Sequence, residues 1–299
     1  MLRHILYIIN PVSGTRTKKA LQQLIEEKTK EKGIPFLVFP SVANGDYYFL
    51  HNIIREQKIT DVVIAGGDGT VSHAVNSLMS CDVNFGIIPC GSGNGLAYAA
   101  KISKQPEKAL DIIFNGKANA IDGFYINGRF ACMLCGLGFD ANVAYDFAQQ
   151  PKRGLATYIK LTTKHFFSSK IYSFELDLLH TKLQTDAYFI SIANSNQFGN
   201  NLTIAPKASL SDGLLDIVIL TRQNRLSFAL NTLRQIGGWN RLQATASIEK
   251  NKAVLYFQTE KLTIINHSKA LLHIDGEPAE IPNKVNVEIS KKCFRLIQP

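Results

Sequence analysis

Val62-Val63-Ile64-Ala65-Gly66-Gly67-Asp68-Gly69-Thr70 is the stretch on which the fold turns. Its four apolar residues read as a buried strand, and three glycines within the next five positions end it. The residues from there through Met79 read as a helix, so the chain passes from strand to helix through a glycine turn. The same grammar repeats on either side. Ile5–Ile9 is an apolar run that ends in the turn signal Asn10-Pro11-Val12-Ser13-Gly14, and residues 17–32 then place Ala20, Leu21, Leu24 and Ile25 at helical spacing. Pro35–Phe39 reads as a second strand, and Asp46–Glu56 as a helix with Phe49, Leu50, Ile53 and Ile54 on one face. Phe85–Ile88 is a fourth strand, followed by Pro89-Cys90-Gly91-Ser92-Gly93-Asn94-Gly95 and another helix. Strands alternating with helices predict an α/β domain over residues 1–122, with a doubly wound, mostly parallel sheet. Ligands of such sheets bind at the carboxyl ends of the strands.

After residue 122 the texture changes to short strand-like runs separated by turn signals. Arg129–Leu134, Tyr172–Leu179, Ala187–Ala193, Leu215–Leu220, Ala253–Phe257 and Val285–Ile289 are among them, interrupted by helical segments near 152–167 and 225–236. Residues 123–299 therefore read as a second, antiparallel, β-sandwich-like domain with helical insertions.

The 299 residues are 45% hydrophobic, enough to bury a substantial core, and no run approaches the ~18 apolar residues of a membrane-spanning helix. Met1-Leu2-Arg3-His4-Ile5 runs directly into a strand, without the apolar region and cleavage site of a signal peptide. Five cysteines, mostly inside apolar runs, fit a reducing compartment, and the expected location is cytoplasmic. The net charge of +9 is uneven: residues 1–122 hold 13 basic and 11 acidic side chains, and the remainder holds 20 and 13. Between Asp216 and Glu249 there is no acidic residue, while Arg222, Arg225, Arg234 and Arg241 are interleaved with Leu226, Phe228, Leu230, Leu233 and Trp239. Such a one-sided surface suits an anionic partner, and a solvated basic face is the plainer alternative. Lys152, Arg153, Lys160, Lys164 and Lys170, set among Leu155, Tyr158, Ile159, Leu161, Phe166 and Phe167, read either as a membrane-surface helix or as a domain-packing one.

Glycines at 66–69 let a phosphate approach the backbone, and the following helix offers unpaired N–H groups at the positive end of its dipole. Asp68 among them would repel a phosphate unless a divalent cation or a proton transfer is involved; the alternative is a helix-capping carboxylate. The 89–95 loop follows the next strand in the same topological position, and two such loops side by side form one phosphate cradle. Its GxGxG spacing is not a dinucleotide fingerprint, and GxxxxGK[ST] is absent from the chain. Cys132-Met133-Leu134-Cys135 lies in an apolar strand pattern with no second pair for zinc.

Asn10-Pro11-Val12-Ser13-Gly14, the 66–70 and 89–94 loops, Gly136-Leu137-Gly138-Phe139-Asp140-Ala141, Ser211-Asp212-Gly213-Leu214-Leu215-Asp216 and Asp275-Gly276-Glu277-Pro278 stand in one order along the chain. Together they resemble the diacylglycerol kinase and sphingosine kinase family, whose first domain is NAD kinase-like, and the resemblance spans nearly the whole chain. It implies an ATP-dependent lipid kinase that phosphorylates a hydroxyl of a lipid such as diacylglycerol or a sphingoid base. It implies that Asn10, Ser13, Gly14, Ser41, Gly66, Gly67, Asp68, Gly69, Thr70, Gly91, Ser92 and Asn94 hold ATP. It further implies that Glu277 is the general base, that Asp68 is its catalytic partner, organising Mg2+ or, as in the sphingosine kinase branch, serving as the base itself, and that Asp212 with the Ser209 and Leu214 carbonyls holds a structural Mg2+. Glu277 by itself also reads as a hairpin residue after Asp-Gly. Glu277 is expected to return to Asp68 across an interdomain cleft. The expected partner is a membrane lipid met at the anionic inner face of the membrane, with no nucleic acid, and a homodimer is left open.

Two departures stand out. Ser72 and His73 follow the glycine loop where family members have Asn-Glu, and GSGNG replaces the GTxND of many diacylglycerol kinases. An NAD kinase-like enzyme acting on a soluble substrate, and a non-catalytic nucleotide- or lipid-binding protein, are the alternatives.

Overall fold

The computed structural model describes residues 3–11, 18–150, 154–178, 181–197, 203–249 and 251–299. The chain divides into two compact units, residues 1–121 together with 292–299, and residues 122–291.

The first unit is the α/β domain. Its elements in order are β1 (Ile5–Ile9), α1 (Lys18–Glu31), β2 (Phe36–Pro40), α2 (Leu50–Glu56), β3 (Asp61–Gly66), α3 (Asp68–Leu78), β4 (Asn84–Pro89), α4 (Gly95–Ala99) and α5 (Pro106–Asn115). β1 pairs in parallel with β2 and β3, and β3 pairs in parallel with β4. Every residue of β1 and β3 is buried, which explains their unbroken apolar runs: both faces of the sheet are covered. β2, at the edge, is only half-buried and ends in Pro40, which an edge strand tolerates. Because β1 lies between β2 and β3, the strand order reverses there, and the crevice this opens is at the β1 and β3 carboxyl ends.

The helix expected at Asp46–Glu56 begins only at Leu50. Asn44 and Asp46 divert the backbone, since their side-chain oxygens accept the N–H groups of Asp46 and Tyr48 at 3.1 and 2.9 Å. Such Asx turns compete with helix. α5 was not expected; Pro106 opens it, and Ala109, Leu110 and Ile113 form its buried face.

The second unit is antiparallel and β-rich. It holds the later part of β5 (Lys117–Ile126), then β6 (Arg129–Ala131), β7 (Leu134–Gly138), α6 (Phe139–Ala148), α7 (Leu155–Phe167), β8 (Tyr172–Asp177), β9 (Lys182–Ala193), β10 (Leu215–Thr221), α8 (Arg225–Ile236), β11 (Val254–Thr259), β12 (Lys261–Asn266), β13 (Leu272–Ile274), β14 (Glu277–Ala279) and the first part of β15 (Lys284–Gln298). β9 is the hub, pairing antiparallel with β7, β8 and β10. Alternate residues such as Phe174, Leu176, Ile190, Ile217, Phe257 and Ile264 build one core. The helices are insertions: α6 and α7 between β7 and β8, and α8 between β10 and β11. β15 is far longer than the expected Val285–Ile289. Its start pairs with β12, and its end, at Arg295 and Leu296, pairs in parallel with β4 of the first unit's sheet. Among the described residues no helix is long and apolar enough to cross a membrane.

Candidate functional site

In the first unit, parallel pairing sets the ends of β1, β2, β3 and β4 at one edge: Ile9 is level with Pro40 and Ala65, and Gly66 with Pro89. The loops that follow are tied together there. Asn10 donates from Nδ2 to Thr70 Oγ1 at 2.8 Å, Asn10 N donates to the Ala65 carbonyl, and Cys90 N donates to the Gly66 carbonyl. Gly67 and Gly91 touch backbone to backbone. A Cβ on Gly91 would stand 2.6 Å from Gly67 Cα, and one on Gly66 would stand 2.8 Å from Thr70 Cβ. These glycines are therefore required by close approach. α3 begins at Asp68, with Gly67 as its N-cap, so its first-turn N–H groups and the positive end of its dipole lie at this edge.

One expected ligand-holding residue has its polar atoms engaged locally. Asn94 is buried at φ 54, ψ 43; its Oδ1 accepts Gly91 N at 2.8 Å and its Nδ2 donates to Gly91 O at 2.7 Å. It clamps its own loop, which the sequence alone did not reveal. Ser41 directly follows β2, where its backbone N–H donates to the Ile9 carbonyl at 2.9 Å. Ser72 is buried in α3, and the His73 ring packs on Gly45, where a Cβ would lie 2.5 Å from Nδ1. His73 thus fills the space beside the loop after β2. Ser13 and Gly14 lie outside the described residues, while Gly69 and Thr70 lie in the first turn of α3, and Gly91 and Ser92 in the half-buried loop after β4.

In the second unit, Glu277 opens β14 directly after a tight hairpin turn made by Asp275 (φ 48) and Gly276 (φ 82). Two positive φ values are the mark of a type I′ turn. Asp275 is buried and accepts the backbone N–H groups of Cys132, Met133 and Leu134, each at 3.0 Å. His273, also buried, accepts Gly276 N at Nδ1 (3.3 Å), which leaves Nε2 to donate to Asp140 Oδ2 at 3.4 Å. Gly136 makes room for Asp140, since a Cβ there would overlap its carboxylate. Glu277 therefore stands on a turn braced by three buried polar side chains, and Arg129 pairs with it at 3.3 Å. Asp140, Asp275 and Glu277 of this set stood in motifs; His273 and Arg129 did not.

The expected Mg2+ residues form a separate group in the same unit. Gly213 N donates to Asp122 Oδ2 at 2.7 Å, Leu214 N donates to Asp212 Oδ1 at 3.1 Å, and Asp122 N donates to the Leu210 carbonyl. Desolvation pushes the Asp212 carboxyl up, and the nearby Asp122 charge adds to the rise. Asp122, fully buried, had no motif around it and was missed. Asp216 accepts from Tyr256 Oη at 2.6 Å and from Gln258 Nε2 at 3.0 Å, and burial pushes it up to about 6. Two carboxylates with neighbouring carbonyls are the hard oxygen donors that Mg2+ prefers, and a cation between them would relieve their repulsion. The donor set fits on that ground. Among the described residues no three His, Cys, Asp or Glu side chains form a ready metal cage, so carbonyls and water would complete the shell.

The cysteine pair drops out. Cys132 and Cys135 are buried thiols, and burial together with Asp275 and Asp140 holds the Cys135 thiol well above its usual range.

Residues 4–126 match the family described as diacylglycerol kinase catalytic domain, and residues 134–298 match the YegS C-terminal NAD kinase beta sandwich-like domain. The chain is 26% identical over 277 residues to the diacylglycerol kinase of Bacillus subtilis (strain 168), covering 90% of this chain and 88% of that protein. It is 29% identical over 306 residues to "Probable lipid kinase YegS-like" of Yersinia pestis (strain Pestoides F), covering 97% and 98%. The solved structure of a diacylglycerol kinase from Bacillus anthracis str. Sterne superposes with a TM-score of 0.74 at 15% identity, over 100% of this chain and 97% of that one. At that identity the likeness is one of fold.

Proposed function

The chain belongs to the diacylglycerol kinase and YegS-like family of lipid kinases, which are ATP-dependent phosphotransferases, and from that membership we propose that it transfers the γ-phosphate of ATP to a hydroxyl of a membrane lipid, a diacylglycerol or a sphingoid base. The observation that carries this reading is the backbone contact of Gly67 with Gly91 beside the Asn10–Thr70 bond, three loops tied together at one sheet edge. The phosphates lie against Asn10, Ser13, Gly14, Gly66 to Thr70, Gly91 and Ser92, with Ser41 reaching the nucleotide and Asn94 keeping the second loop in shape. Mg2+, when bound, offsets phosphate charge, and Asp68 is the side chain that would hold it. Asp212, with the Ser209 and Leu214 carbonyls and Asp122 beside them, would hold a structural Mg2+. Glu277 takes the proton of the acceptor hydroxyl as the phosphoryl group arrives. The braced hairpin turn favours that task, because a base must be held in place to act. The enzyme works at the cytoplasmic, anionic face of the membrane without spanning it.

The test is incubation with labelled ATP, Mg2+ and a total lipid extract. The expected result is one labelled lipid, lost by about 10²–10⁴-fold in Glu277→Gln and Asp68→Asn, with ATP binding retained in Glu277→Gln. Label appearing in a water-soluble acceptor such as NAD would replace the lipid reading with a soluble-substrate kinase. ATP binding with no transfer to any acceptor would point to a non-catalytic protein.

A further inference from the structure

α8 is anchored from one side only. Phe228 is buried, stacked on Phe166 at 5.3 Å and on Tyr188 at 4.3 Å, and Gln235 donates from Nε2 to the Ile204 carbonyl at 2.8 Å. Asn224 caps the helix by accepting Ser227 N, and Gly238 at φ 73 turns the chain out of it into Trp239. The sequence pattern placed Phe228 among the residues between the arginines; the structure removes it to the core. What remains outside is Leu226, 72% exposed, Leu230 at 53%, Leu233 at 63% and Trp239 at 74%. At about 100° per residue the three leucines fall within an arc of about 60°, opposite Phe228 and flanked on its two sides by Arg225 and Arg234. Arg225, Arg234 and Arg241 are exposed, and among the described residues no carboxylate stands within ion-pair distance of them; Arg222 faces Asp186 at 3.9 Å.

We propose that this face of α8, continued through Trp239, inserts into the interfacial region of an anionic bilayer: the leucines and the indole enter the acyl boundary while Arg225, Arg234 and Arg241 pair with headgroup phosphates. It rests on the reading of a membrane lipid as substrate. The occupant follows from charge and shape together. An apolar stripe bordered by unpaired cations, with no acidic residue between Asp216 and Glu249, suits a surface that is apolar within and negative at its rim. Arg side chains that reach sideways from such a stripe keep their charge in the headgroup layer. The attachment therefore has two parts, a screened electrostatic one and an apolar one that salt leaves in place.

Trp239 is the single tryptophan of the chain, so its fluorescence reports this face alone. With vesicles of phosphatidylglycerol and phosphatidylcholine its emission should move to shorter wavelength and be quenched by brominated acyl chains, and the quenching should persist at ~1 M salt, where the screening length is only ~3 Å. The triple variant L226Q/L230Q/L233Q should keep its helical circular dichroism, lose vesicle affinity by about tenfold or more, and turn over a dispersed short-chain lipid at the wild-type rate. No wavelength shift and no quenching in the wild type would overturn the proposal. So would vesicle binding by the triple variant as tight as the wild type's, or a Trp239 that is shielded in a dimer without vesicles. Insertion with no lipid ever phosphorylated, dispersed or in bilayers, would sink the substrate reading and leave the surface standing.

Discussion

Gly91 shows at the scale of one residue why this loop cannot vary freely. Its hydrogen stands where a Cβ would be 2.6 Å from Gly67 Cα and 2.9 Å from Asn94 Oδ1, so any side chain pushes two backbones apart. Gly91→Ala should destabilise the protein by about 1–3 kcal/mol, the usual cost of forced overpacking. On the proposed ATP site it should also weaken ATP binding by about tenfold or more, because the loop is displaced from where we place the phosphates. Denaturant unfolding and calorimetric ATP titration check the two effects. ATP affinity equal to the wild type's would show that the Gly67–Gly91 contact does not shape the nucleotide site.

The β13–β14 hairpin and the α6–α7 pair carry the predictions at the scale of elements. His273 joins the turn to α6 by accepting from Gly276 and donating to Asp140, with both side chains buried. Its replacement by Leu leaves the Asp140 carboxylate buried without that donor. His273→Leu should cost about 2–4 kcal/mol in denaturant unfolding and slow turnover, since the turn bearing Glu277 loses its brace. The second element-scale case concerns pH. Lys164, and with it His165, holds the Asp146 carboxyl below its usual range and so ties α7 to α6. An acid whose folded pKa is depressed contributes stability above its unfolded value and loses it as pH falls through the folded one. Wild type should exceed Asp146→Asn by less than about 1 kcal/mol at neutral pH, because the pair is near the surface, and the two should converge in strong acid. Unfolding curves that stay equally far apart from neutral pH into strong acid would show that the Asp146 charge is not the cause.

At the scale of the molecule, the first unit is completed only by the end of the chain. Residues 292–299 return to its sheet, where β15 pairs with β4 through Arg295 and Leu296. Phe294 packs edge-on against Phe85 at 5.9 Å, Arg295 donates to Asn84 Oδ1, and Leu296 and Ile297 are buried. A chain ending at residue 291 loses three buried large apolar side chains, at about 2–5 kcal/mol each. That approaches or exceeds the ~5–15 kcal/mol by which whole domains are stable. It also bares the flank of β4 as an open sheet edge. The truncated chain should unfold well below the full-length chain in thermal scans, or aggregate on expression; an unchanged midpoint would mean that the last strand adds nothing to the first unit.

The sequence by itself determined the strand–glycine–helix repeats of the first unit, because a strand covered on both faces must be apolar throughout, and a backbone approaching phosphate or another backbone must be glycine. It determined the Asp-Gly turn before Glu277 and the basic, acid-free run around α8, since each is written in consecutive residues. Tertiary structure alone decided what depends on residues far apart in the chain. Asp122 meets Gly213, His273 meets Asp140, and Arg129 meets Glu277, each pair brought together by sheet pairing that no local spacing encodes. It decided that Asn94 turns inward on its own loop. It also decided that Phe228 faces the core while Leu226, Leu230 and Leu233 face outward. Helical periodicity separates the two faces of an amphipathic helix, but when both carry apolar residues, only packing says which one is covered.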